Sequence, residues 1–239
     1  TPPVTQETIN AVIDGLVNSG VSPDNIIVYT GHEAELFAAG ISVNPIGRGI
    51  RTMGSESEGY RGGLSRIVLD YCTVIINIAR LKADRELGMR GCLTNCLTVV
   101  PYVERLKLIA NPTELPTAAA HPLMRQKVRL HILEAYQPLL EDTGEQLPPI
   151  WEYRGLLLSS DPVALDRIGL TILATKQKET WGATQEEPPR IPADRSLKYL
   201  EAAANRKYRL GRYDLSQIEV KVSGVEHDLL LDRASTHQE

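Results

Sequence analysis

One short segment, residues 73–79, constrains the fold of this chain more than any other. Its sequence, Thr-Val-Ile-Ile-Asn-Ile-Ala, has the length and the β-branched content of a strand, but its apolar residues do not alternate with polar ones. A strand that is apolar on both faces belongs in a sheet that is covered on both sides. The segment therefore predicts a central strand in a layered fold.

Helical and strand patterns alternate along most of the chain. Helices are predicted at 5–22, 33–40, 64–72, 89–100, 162–181 and 196–208, and further strands at 25–30, 50–53, 128–136, 155–160 and 218–223. This order favours an α/β fold, with a largely parallel or mixed sheet flanked by helices. No sharp break in composition divides the chain, so we expect a single domain over 1–239, with 223–239 as a tail.

Charge and hydropathy exclude some classes of partner. The 26 Lys and Arg residues stand against 30 Asp and Glu residues, and no basic block suggests nucleic acid. No apolar run approaches the roughly 18 residues that span a bilayer. The chain opens on Thr-Pro-Pro without a methionine, which is typical of a trimmed or processed fragment. The lack of a leader therefore carries little information about the compartment.

The apolar run at 155–158 ends in Ser-Ser-Asp-Pro, just before the predicted helix 162–181. Asp161 fits the N-cap position, where a carboxylate accepts from free backbone N–H groups, and Pro162 fits the first helical position. The same junction lies at the carboxyl end of a strand, where open α/β sheets bind ligands. Asp161 can serve both roles.

Asp166 lies in a helix that is apolar nearly all round, which indicates burial. A buried carboxylate must be paired or hydrogen-bonded, or it becomes neutral. The sequence leaves two interpretations open: a structural ion pair with a nearby Arg or Lys, or a carboxylate of a functional site.

Further polar residues follow predicted strands. If strands 73–79 and 155–160 are parallel neighbours, Lys82 and Asp161 emerge at one edge of the sheet, where Lys82 could neutralise Asp166 or hold an anion. In the next predicted helix, Asn95 is the polar residue on an otherwise apolar face. On strand 128–136, His131 and Glu134 point to opposite faces and cannot share a metal, and Glu134 is the better candidate for the edge site.

Cys92 and Cys96 stand four residues apart in a predicted helix, so they share one face. They are interpreted as small buried residues, with a metal or redox pair as the alternative.

Three segments together, 74–95, 152–173 and 198–220, resemble the prokaryotic family called domain of unknown function 362. Its motif Ser/Thr-Asp-Pro-Val-Ala-x-Asp is intact at 160–166. In its Leu-Lys-x-His motif, Leu81 and Lys82 match, but the His position is Asp84. The family's Lys-Asn pair reads Thr94-Asn95, and its later aspartate corresponds to Glu134.

The resemblance carries expectations of its own. Some relatives have a four-cysteine cluster motif that this chain lacks, so no iron–sulfur centre is expected. Many relatives carry a twin-arginine export leader, which implies an exported protein; without such a leader the protein is cytoplasmic. The altered motif positions imply a lost or changed activity.

Two functional hypotheses follow. In the first, Lys82, Asn95, Glu134, Asp161 and Asp166 form a binding or enzymatic site for a small anionic molecule at the carboxyl edge of the sheet. Asp161 and Asp166 could also ligate a divalent metal, and an oxygen-rich set suits Mg²⁺ or Ca²⁺. In the second, the protein is a non-catalytic accessory subunit that acts through protein–protein contacts. The sequence leaves the substrate and the oligomeric state open.

Overall fold

The computed structural model of the protein describes residues 4–140, 151–181 and 193–224. The helices are α1 (Gln6–Asn18), α2 (Glu33–Ala38), α3 (Cys92–Asn95), α4 (Tyr102–Ala110), α5 (Thr117–Ala120), α6 (Pro122–Lys127), α7 (Pro162–Trp181) and α8 (Ala193–Ala204). The strands are β1 (Ile27–Thr30), β2 (Arg51–Gly54), β3 (Tyr60–Arg61), β4 (Leu64–Ser65), β5 (Ile75–Asp84), β6 (Gly88–Arg90), β7 (Val128–Leu139) and β8 (Gly155–Ser159). Most of the tail predicted at 223–239 lies outside the described residues.

The main sheet has the strand order β6-β5-β7-β8. β5 and β7 are parallel, whereas β6 and β8 run antiparallel to their neighbours. The prediction of an α/β fold with a mixed sheet is confirmed. β5 pairs with β6 and β7 along its two edges. From Asn77 to Ala83 its residues alternate between buried and half-buried, so one of its faces is covered more fully than the other, whereas its apolar sequence predicts full cover on both.

One face of this sheet packs against α3 and α7. At Gly169 of α7, an added Cβ would lie 2.7 Å from Leu133 and 3.0 Å from Leu81. Glycine therefore lets the long helix approach β5 and β7 closely. Most of the apolar side chains of α7 are buried here, as its all-round apolar sequence indicates.

The start of α1 reaches the opposite face of the sheet. Thr5 and Thr8 bond there to Glu134 of β7. Two smaller sheets complete the strand set: β1 and β2 pair in parallel, and β3 and β4 form an antiparallel pair. Among the described residues, no helix is long and apolar enough to cross a membrane.

Several predicted elements differ from the structure. The helix predicted at 89–100 starts later in the structure: residues 89–90 belong to β6, and the helical part consists of α3 and a short 3-10 helix at Cys96–Val99. The strand predicted at 73–79 continues to Asp84, because β6 folds back beside it and Arg90 pairs with Asp84. The helix predicted at 64–72 is shorter and of another type: Leu64–Ser65 form β4, and a single π-helical turn covers Ile67–Tyr71. Of the strand predicted at 218–223, the described residues show only an isolated β-bridge at Val220, and Ile218 and Val220 pack half-buried against the core.

Candidate functional site

Asp161 caps the N-terminus of α7. Its Oδ1 accepts from the backbone N–H of Ala164 at 2.8 Å, and its Oδ2 accepts from that of Arg212 at 2.8 Å. The carboxylate therefore ties the start of α7 to the segment that follows α8. The capping role predicted from the Asp-Pro sequence is confirmed.

Asp166 is fully buried, and its partners are backbone N–H groups. Oδ1 accepts from Cys92 at 2.6 Å and Oδ2 from Leu93 at 2.8 Å, at the start of α3. Burial raises the pKa of this carboxyl to about 7, although the two hydrogen bonds act to lower it. The sequence predicted a lysine, an arginine or a functional partner; the structure places a helix N-terminus there.

Lys82 and Asp161 lie at opposite ends of the sheet, so the prediction that they emerge at one edge is wrong. β7 separates β5 from β8, and β8 runs antiparallel to both. Leu81 faces α7, and because side chains alternate along a strand, Lys82 faces the other side. The structure does not bring Lys82 to Asp166.

Glu134 also lies away from Asp166, on the face of the sheet that α1 approaches. It is 1% exposed and accepts from the backbone N–H and the hydroxyl of Thr5 and from the hydroxyl of Thr8, the last at 2.7 Å. His131 bonds on the opposite face, as the alternation of side chains predicts.

Asn95, in contrast, belongs to a buried polar chain on the α7 side of the sheet. Its Nδ2 donates to Oδ1 of Asn77 at 2.7 Å, and Asn77 in turn lies 2.9 Å from Nδ1 of His131. Burial lowers the pKa of His131 to about 4.

A cavity of about 180 Å³ opens beside this polar chain, at the carboxyl end of β8 and the start of α7. Its lining combines three polar side chains with a thiol and an apolar wall: Arg125, His131, Ser160, Cys96, Ala119, Met124, Val128, Pro162 and Leu210. Ser160 and Pro162 flank Asp161, so the intact Asp-Pro motif forms part of the rim.

Arg125 brings a positive charge to this cavity. Its guanidinium donates to the carbonyl oxygens of Ala120 at 3.1 Å, Arg209 at 3.3 Å and Tyr208. Within the described part of the chain, no carboxylate forms an ion pair with it. Among the described residues, the partners of this exposed guanidinium are all carbonyl oxygens, which hold it in place.

Arg125, His131 and Ser160 line the cavity, but none of them is among the site residues predicted from the sequence. His131 was considered only as a partner of Glu134 in a metal site, and Arg125 precedes β7 without any motif. Ser160 did carry a signal, because it begins the intact motif at 160–166.

The thiol and carboxyl groups near the cavity are protonated or hydrogen-bonded within the fold. Burial raises the pKa of the Cys96 thiol to about 12, so it is not a thiolate at neutral pH. Both oxygens of Asp161 and of Asp166 already accept from N–H groups. Across residues 4–140, 151–181 and 193–224, no three His, Cys, Asp or Glu side chains are grouped to hold a metal ion.

Comparison with known proteins agrees with the resemblance seen in the sequence. Neither the curated proteins nor the solved structures give a match to this chain. The family described as Domain of unknown function (DUF362) matches residues 7–171, which is more than half of the chain. The matched range contains α3, β7, β8 and the start of α7, and with them most of the cavity lining. The chain therefore belongs to the DUF362 family.

Proposed function

We propose that the protein binds a small organic acid in the cavity at the start of α7. One observation carries this proposal: the polar side chains of the lining are Arg125, His131 and Ser160, and no carboxylate of the described residues lines the cavity. A guanidinium, an imidazole and a hydroxyl can all donate hydrogen bonds to a carboxylate.

The size of the cavity limits the ligand. A cavity of about 150 Å³ is large enough to hold benzene, and this one measures about 180 Å³. The apolar wall contributed by Met124, Val128 and Leu210 favours a hydrocarbon body next to the acid group. The preferred ligand is therefore a monocarboxylic acid about the size of benzoate.

This proposal keeps the anionic ligand expected from the sequence but changes its position. Three of the residues predicted from the sequence hold the elements around the cavity. Asp161 fixes the start of α7, and Asp166 fixes α3. Asn95 is hydrogen-bonded to Asn77, which contacts His131. Lys82 and Glu134 belong to other parts of the sheet and have no role in this proposal.

Calorimetric titration with benzoate and with benzamide, its neutral counterpart, tests the proposal. Benzoate should bind and benzamide should bind at least about 10-fold more weakly, because an amide is not a charged acceptor. Arg125→Gln should weaken benzoate binding by a similar factor, whereas Arg129→Gln, on an exposed arginine nearby, should not. Val128→Phe should block binding by filling the cavity. Equal binding of benzoate by all three variants would contradict the proposal.

An accessory role is the second candidate, and one observation favours it. β8 is the outermost strand of the main sheet as described. Its Leu156 and Leu158 are 52% and 58% exposed on one face, and an apolar edge strand is a surface that other chains can pair with. Light scattering on the purified protein tests this: a constitutive complex that Leu158→Lys dissociates would support it, and a monomer would contradict self-association.

A further inference from the structure

Two backbone carbonyls anchor the polar chain behind the cavity, one at Asn95 and one at Asn77. Nδ2 of Asn95 donates to the carbonyl oxygen of Ile78 at 3.0 Å and to Oδ1 of Asn77 at 2.7 Å. A backbone carbonyl can only accept, so the Asn95 amide must present its NH₂ group here. The same NH₂ group then requires an acceptor on Asn77, which fixes Oδ1 on that side.

The second anchor fixes Asn77 independently. Its Nδ2 donates to the carbonyl oxygen of Cys92 at 2.8 Å and lies 2.9 Å from Nδ1 of His131. A flipped Asn77 amide would place two oxygens against each other at the Cys92 carbonyl. The amide orientation is thus determined twice. With one N–H donated to Cys92, the other faces Nδ1 of His131 at 2.9 Å and the weaker acceptor Sγ of Cys96 at 3.6 Å, and the closer nitrogen is the better acceptor.

An amide N–H cannot accept a hydrogen bond, so Nδ1 of His131 must be the acceptor and carries no proton. We infer that Asn77, held by Asn95, is a positioning residue that keeps His131 neutral with its proton on Nε2, which makes this histidine a hydrogen-bond donor to the cavity. The doubly protonated form would place two donors against each other at Nδ1. Burial, which lowers the pKa of His131, acts in the same direction.

The effect of this tautomer on ligand binding rests on the proposed function. With Nε2–H as donor, beside Arg125 and the hydroxyl of Ser160, the cavity offers donors to an ionised acid. The opposite tautomer would present a lone pair and repel it. The polar chain therefore selects the ionised acid without contributing a charge of its own.

Nitrogen NMR on ¹⁵N-histidine-labelled protein measures the tautomer directly, and it does so without ligand. In the wild type, Nδ1 of His131 should show the shift of an unprotonated nitrogen and Nε2 that of a protonated one; His131→Gln assigns the signals. His32 is an internal reference, because its Nδ1 lies 2.7 Å from the Glu56 carboxylate and must carry a proton.

Asn77→Asp replaces the donor with an acceptor of nearly the same shape. It should move the Nδ1 signal to the protonated type and weaken benzoate binding by about 10-fold or more. Should this variant fail to fold, the wild-type spectrum alone still decides. A protonated Nδ1 in the wild type would overturn the inference. An unprotonated Nδ1 in a protein that binds no benzoate would uphold the tautomer and overturn the proposed function.

Discussion

The carboxylate of Asp166 accepts a hydrogen bond of 2.6 Å from the backbone N–H of Cys92, a residue 74 positions earlier in the chain. This bond joins the long helix α7 to the first turn of α3. A side chain at Gly91 would collide with the same carboxylate, since an added Cβ would lie 2.4 Å from Oδ1. α3 carries Asn95 and leads into Cys96, so the contact also sets one wall of the cavity.

Removing this carboxylate should destabilise the fold. Asp166→Ala leaves two buried N–H groups without an acceptor, which costs about 1–3 kcal/mol for each group. We expect the free energy of unfolding in urea to fall by about 2–6 kcal/mol, with a smaller loss for Asp166→Asn, which keeps one acceptor. Asp14→Ala, at an exposed position of α1, is the control and should change it little. An unchanged value for Asp166→Ala would show that α3 does not depend on this contact.

The same carboxyl should make stability depend on pH. Its pKa of about 7 in the folded protein lies above the ordinary value of 3.8, so the folded state binds the proton more tightly. Its stabilising contribution is complete below that ordinary value and is lost as the pH rises to about 7, by about 1.4 kcal/mol per pKa unit. The stability advantage of the wild type over Asp166→Asn should therefore shrink between about pH 4 and about pH 7 and stay constant above that range.

His131 should also make stability depend on pH, but with a sign opposite to that of Asp166. Its folded pKa of about 4 lies below the ordinary value of 6.5, so its contribution is complete above that value and is lost as the pH falls to about 4. The two groups offset each other in the acidic range, and the wild-type profile alone hides both. Urea unfolding of His131→Gln across the same range should expose the Asp166 trend. Parallel curves of stability against pH for this variant and the wild type would contradict the lowered pKa of His131.

How far the sequence predicts this site depends on how local the determining contacts are. The cap at Asp161 was predictable, because capping depends on residues within one turn. The burial of Asp166 was also predictable from its apolar neighbours. Its partner was not, since the Cys92 and Leu93 N–H groups become available only when Gly91 allows α3 to begin beneath α7.

The main error of the sequence prediction is the direction of β8, and this error places the candidate site at the wrong end of the sheet. The apolar pattern of 155–160 is the same for a parallel and an antiparallel strand, and the pairing partner of β8 lies 20 or more residues away. Placing Lys82 and Asp161 at one edge required a parallel pair. The buried chain from Asn95 to His131 crosses three elements, and no sequence motif marks it.

Glu134 should hold the start of α1 on the sheet. In Glu134→Gln, residue 134 loses its charge and one of the two oxygens that accept hydrogen bonds from Thr5 and Thr8. Backbone amides in the first turns of α1 should therefore exchange hydrogen faster. Hydrogen exchange followed by mass spectrometry measures this, and β5 should remain protected. Glu7→Gln, exposed on the same helix, is the matched control. Equal exchange in both variants would show that another contact holds α1.

A crystal structure of the protein grown with benzoate tests the central claim most directly. The account predicts density for the acid between Met124 and Leu210, with a carboxylate oxygen within hydrogen-bond distance of Nε2 of His131 and the guanidinium of Arg125. Benzoate bound at the Lys82 end of the sheet, or a cavity that excludes it under conditions where the protein binds it in solution, would contradict the account.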